Sequence, residues 1–109
     1  LKQVGADTMV GGATLTKLLG TSAWYAPGAS VAYLVDSILN DQKRIIPCSV
    51  YLEGEYKQED ICIGVPCVIG RNGWESIVDV HLTEEEQATF DKSAAAVRTM
   101  NAALDSILS

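Results

Sequence analysis

One histidine, one phenylalanine and three cysteines in 109 residues leave little material for catalysis or for covalent cross-linking. Basic residues are also scarce. Eight lysines and arginines face fourteen acidic residues, a net charge of -6. An acidic chain is repelled by nucleic acid phosphates and by anionic membrane surfaces, so neither is expected as a partner. No apolar run is long enough to cross a bilayer. The first residues, Leu1 to Asp7, lack the apolar centre of a signal peptide. They also lack an initiator methionine and begin inside a helix-like pattern, which points to a fragment. Internal repeats, low-complexity tracts and long linkers are absent as well. What remains is 48% hydrophobic and 20% charged, the composition of one ordinary globular domain or a piece of one.

The cysteines, Cys48, Cys62 and Cys67, are odd in number and lie in β-like runs. That pattern fits small buried hydrophobes in a reducing compartment, and hence the cytoplasm, better than a disulfide framework. A zinc site needs more ligands at closer spacing than Cys62, Cys67 and the lone His81 provide.

Hydrophobic spacing divides the chain. Val4, Met9, Val10, Leu15, Leu18 and Leu19 predict a helix over residues 1–19. Gly11 and Gly12 weaken its middle by about 1 kcal/mol each, which suits a bend or a closely packed neighbour, and Gly20 ends it. After a break at Thr21 to Ala26, Pro27 falls in the first turn of a second helix, where a missing N–H costs nothing. Val31, Leu34, Val35, Ile38 and Leu39, widened by Tyr33, give this helix an apolar face broad enough for burial on two sides, by the core and by a second subunit. It should end near Asn40 to Gln42.

The period then changes to two. Ile46, Cys48, Val50 and Leu52 share one face of a strand over residues 44–54, with Pro47 arguing for an edge or a strand start. Gly54 to Asp60 reads as a polar connection. A second strand, Ile61 to Ile69, puts Ile61, Ile63, Val65, Cys67 and Ile69 on one face. Gly70-Arg71-Asn72-Gly73 reads as a turn, with Asn72-Gly73 a hairpin signal, and a third strand is expected from Trp74 to Leu82. Thr83 and Glu86 form a capping box for a last helix, Glu84 to Leu108, whose buried stripe is Phe90, Ala94, Val97, Leu104 and Leu108. The fold class is α+β: helix, break, helix, a three-stranded antiparallel meander and a long C-terminal helix.

These residues supply little chemistry. The glycine-rich stretch from Gly64 to Gly73 joins strand to strand, so it is a hairpin and not a phosphate loop, which would lead into a helix. His81 precedes a helix cap and reads as a solvated strand-end residue before a general acid or base. Ser22, Ser30 and Ser49 have no nominated base, and Glu84 to Glu86 are accounted for by helix capping. Trp24 and Tyr25, in the break, read as plugs of the domain in preference to pocket walls.

Several motifs in order resemble lactate and malate dehydrogenases. They are Gly11 to Leu19 followed by Ser22-Ala23-Trp24-Tyr25-Ala26-Pro27; Asp41 to Arg44 with Pro47, Cys48 and Leu52 to Tyr56; Gly64-Val65-Pro66 through Gly73; and Leu82 to Glu86 with Phe90 and Lys92 to Ala94. The likeness spans essentially the whole chain and departs from the family pattern at Lys57, where glycine is usual, and at Trp74, where a smaller aliphatic is usual. It implies that residues 1–109 are the C-terminal, substrate-side portion of an NAD-dependent dehydrogenase. The nucleotide-binding domain, the catalytic histidine–aspartate pair and the substrate-binding arginines of the family lie upstream of the matched segment. No catalytic residue is then expected in this chain, and alone it should be inactive. The resemblance places Ala23 against the substrate side chain and Pro27 against the nicotinamide ring. Ser22 to Pro27 look like the malate branch, since the lactate enzymes tend to carry threonine at the position of Ala23. The implied partners are NAD, a small 2-hydroxy or 2-keto dicarboxylic acid, the missing N-terminal part, and further copies in a homodimer or homotetramer. The alternatives are a lactate dehydrogenase with the same machinery, or a stand-alone dimerising module.

Overall fold

The structure, a computed structural model, describes residues 2–108. They divide into two compact units, residues 1–36 and 37–109. The first holds α1 (Lys2–Leu19) and most of α2 (Tyr25–Leu39). As expected, α1 stops before Gly20, whose φ of 68° is the left-handed conformation that closes helices. The helix runs unbroken through Gly11 and Gly12, and a Cβ at either would meet nothing within 4 Å. No residue among those described from 3 to 36 is buried. Val4, Met9, Val10, Leu18, Val31 and Val35 are all exposed.

The second unit holds the core. The α2 helix ends in a Schellman motif: the Gln42 N–H donates to Ser37 O at 2.9 Å and the Asp41 N–H to Ile38 O at 3.2 Å. Asp41, at φ 50°, occupies the left-handed position usually given to glycine. Strand β1 (Arg44–Glu53) pairs antiparallel with β2 (Glu59–Gly70), which pairs antiparallel with β3 (Gly73–Ile77) in the order β1-β2-β3. The expected inward face is observed. Val50, Leu52, Ile61, Val65, Cys67 and Ile69 are buried, with Ile46, Cys48 and Ile63 half-buried. Each large side chain so enclosed contributes about 1.5–3 kcal/mol. Cys62 breaks the expectation of three buried thiols: it is exposed, because in a period-two strand a residue between Ile61 and Ile63 points to the opposite face.

The hairpin turn spans Gly70 to Gly73, as expected. Gly70 pairs with Gly73, so Arg71 and Asn72 form the tip, and only Gly73 has positive φ, at 88°. Positive φ at both central residues, as a type I′ turn requires, is absent; the register shifts beyond the turn, where Ile69 pairs with Trp74 and Val68 with Ser76, leaving Glu75 as the bulged residue.

The third strand is also shorter than the expected Trp74 to Leu82. In the β2–β3 register Cys67 pairs with Ile77, so Pro66 stands opposite Val78. The Val78 N–H still donates to Pro66 O at 2.8 Å, but proline has no N–H to return to Val78 O. The ladder therefore stops. The Tyr56 hydroxyl takes over, donating to Val78 O and accepting from the Val80 N–H at 3.1 Å. Towards β1, Pro66 faces Pro47. Because the polar groups of Pro66 point to β3, this is a position without ladder bonds, and two opposed prolines cost the β1–β2 pairing nothing.

Tyr56 also corrects the expectation of a purely polar connection over residues 54–60. A single 3-10 turn, Glu55–Lys57, carries it inward. The Tyr56 ring is buried, 5.5 Å from the ring of Phe90. The α3 helix (Glu84–Leu108) lies against β2 and begins with the expected capping box. The Thr83 N–H donates to Glu86 Oε2 at 2.8 Å and the Glu86 N–H to Thr83 Oγ1 at 3.3 Å. Its packed stripe is shorter than expected. Phe90, Ala94 and Val97 face the sheet. Arg98 then donates to the carbonyls of Glu59 and Asp60, where β2 begins. Beyond that edge the helix has no sheet beneath it, so Leu104 is exposed. The side chain of Leu108 lies outside the described residues. No helix among the described residues is long and apolar enough to cross a membrane.

Candidate functional site

The break between α1 and α2 forms a hollow of about 550 Å³. Leu15 and Leu19 line it from the last turns of α1, and Ala23, Trp24, Tyr25 and Ala26 line it from the break and the start of α2. The Gly28 N–H donates to Trp24 O at 2.9 Å, the first bond of α2. Trp24 is thus the N-cap residue and Pro27 the third helical residue, one of the positions whose N–H has no helical acceptor. The expected tolerance for proline there is met. Trp24 and Tyr25 do not plug the domain: they are 70% and 96% exposed, and they form part of the hollow's wall. An interior plug needs a core around it, and residues 3–36 have none among the described residues.

Of the two residues singled out in the sequence, Ala23 is half-buried and lines the hollow, whereas Pro27 is exposed and lies outside its lining. The chain places them four residues apart, on either side of the helix start. The wall is mostly apolar; its polar side-chain groups are the hydroxyls of Thr21, Ser22 and Tyr25 and the indole N–H of Trp24. Such a surface excludes water and offers little to hold a charge, so it suits the flat or aliphatic part of a ligand.

His81 belongs to the second unit. It is exposed in the segment between β3 and α3, where it helps to line a separate hollow of about 370 Å³ with Tyr56, Lys57, Asp79, Leu82 and Gln87. Among the described residues no hydrogen bond joins it to a carboxylate, and no group of three His, Cys, Asp or Glu side chains is arranged to hold a metal ion.

The perturbed ionisable groups are structural. The Arg71 N–H, 2.8 Å from Asp41 Oδ1, and then Lys43 hold the Asp41 carboxyl below its ordinary value. Hydrogen bonds to Glu75 and to Asp41 raise Lys43. Together these groups tie the hairpin to the end of α2. Bonds from Thr83 lower Glu86, and burial pushes the Cys67 thiol up. Two interior residues were not anticipated. Ser37 is fully buried and donates to Ile69 O at 2.8 Å. Its signal was a lone hydroxyl between Leu34 and Ile38 on the apolar face of α2. Tyr56 had no periodic neighbours to reveal it.

The chain matches the family described as lactate/malate dehydrogenase, alpha/beta C-terminal domain, over residues 1–105. It is 74% identical over 108 residues to a malate dehydrogenase of Flavobacterium johnsoniae, covering 99% of this chain and 35% of that protein. A malate dehydrogenase of Bacteroides thetaiotaomicron is 64% identical over 107 residues, covering 98% and 34%. Among solved structures, the malate dehydrogenase from Salinibacter ruber superimposes with a TM-score of 0.94 at 40% identity, covering 97% of this chain and 35% of that one. The lactate dehydrogenase from Eimeria maxima with NADH and oxamate superimposes with a TM-score of 0.93 at 36% identity, covering 97% and 33%. The chain thus spans about a third of the length of the curated relatives it matches. With its order of elements and its antiparallel meander, it belongs to the lactate/malate dehydrogenase family, whose α/β C-terminal domain it represents.

Proposed function

We propose that residues 1–109 are the substrate-side portion of an NAD-dependent malate dehydrogenase, with the nucleotide-binding domain and the acid–base pair supplied by the preceding part of the protein. The observation that carries this reading is the apolar hollow at the α1–α2 break, with Ala23 half-buried in its wall. Ala23 would face the variable end of the keto acid. Pro27 would pack on the nicotinamide, and its ring suits that contact: it is exposed, apolar and free of an N–H that would need hydration. Bound there, the cofactor would supply or accept the hydride, and this chain would exclude water from the ring and shape the space beside the substrate.

Malate is favoured over lactate by Ala23, which stands where the lactate enzymes tend to carry threonine, and by the names of the relatives at 74% and 64% identity. The lactate reading keeps one observation in its favour, the near-equal superposition on the Eimeria maxima enzyme. Assembly into a dimer or tetramer is supported by Val31, Val35 and Leu39, which form an exposed apolar row on α2. A cytoplasmic location is supported by the three unpaired cysteines.

Steady-state kinetics of the full-length enzyme with oxaloacetate and with pyruvate test the site. Pro27→Asn should weaken cofactor use by roughly five- to thirtyfold, on the order of 1–2 kcal/mol of lost apolar contact. Ala23→Thr should shift the oxaloacetate-to-pyruvate ratio more than cofactor affinity. The 109-residue chain alone should reduce neither acid. If Pro27→Asn changes no kinetic parameter and Ala23→Thr alters only thermal stability, the hollow is scaffold and the proposed roles are wrong.

A further inference from the structure

No further inference is drawn: the strongest candidate, the apolar stripe of Met100, Leu104 and Ile107 on the last turns of α3, is exposed in this chain, and nothing in the structure shows what covers it.

Discussion

Replacing Tyr56 with phenylalanine keeps the ring and its contact with Phe90 but removes the hydroxyl that serves Val78 O and the Val80 N–H. Each bond of this kind is worth about 1 kcal/mol net, and the site is only partly buried, so water can replace some of the loss. Tyr56→Phe should therefore cost about 1–2 kcal/mol. The role assigned to Pro66 makes a sharper claim. Pro66→Ala restores an N–H opposite Val78 O, so the carbonyl gains its ladder donor and the tyrosine hydroxyl becomes partly redundant. The alanine also frees the unfolded chain, at a cost of about 0.4–1 kcal/mol, so the single change should be close to neutral. In the Pro66→Ala background Tyr56→Phe should then cost about 1 kcal/mol less than in the parent. That coupling exceeds the roughly 0.3–0.5 kcal/mol within which independent changes add. Urea unfolding of all four variants measures it, and hydrogen exchange at the Val80 amide locates it, since protection there should fall with Tyr56→Phe. Additive energies, or unchanged exchange at Val80, would refute the account of why β3 ends at Ile77.

Two other outcomes are expected. The Glu86 carboxyl lies below its ordinary value of 4.5 because of its bonds to Thr83. Its contribution is therefore complete above about pH 4.5 and is lost as pH falls through the lower folded value. Urea midpoints measured down the acid limb should fall less steeply for Glu86→Gln, which cannot titrate; identical slopes would dismiss the capping box as a source of acid sensitivity. Lys57 has φ of 58°, a conformation costing a side chain about 1–2 kcal/mol, against about 0.5–1 kcal/mol for the entropy of glycine. Lys57→Gly should accordingly raise the melting temperature by a few degrees, and a drop would mean that Lys57 makes a compensating contact.

The elements with strong periodicity were legible in the sequence. The capping box at Thr83 and Glu86, the stop at Gly20 and the alternation of β1 and β2 are local signals, and each governs its own few residues. The failures came where a distant partner decided the outcome. Trp74 to Leu82 has the composition of a strand. Its length is set instead by Pro66 on the neighbouring strand and by a tyrosine more than twenty residues away. The buried stripe of α3 was overextended because spacing shows which side of a helix is apolar and not where the underlying sheet ends. Leu104 keeps the period and is still exposed. At the candidate site, the sequence marked Ala23 and Pro27 only through resemblance. It gave no sign that Trp24 and Tyr25 stand in the wall of the hollow, because an aromatic pair before a helix has the same spacing in either role.

The divided fates of the cysteines give the chain a chemical clock. Cys62 is exposed on the outer face of β2, whereas Cys67, five residues on, is fully enclosed and its thiol is raised by burial. A thiol reagent in neutral buffer should thus meet one accessible sulfur quickly. It can reach Cys67 only when the strands part. Cys48, half-buried on β1, falls between the two. The stepwise gain in mass would then report opening of the β1–β2 core in the unaltered chain, with no engineered probe and no assay of activity.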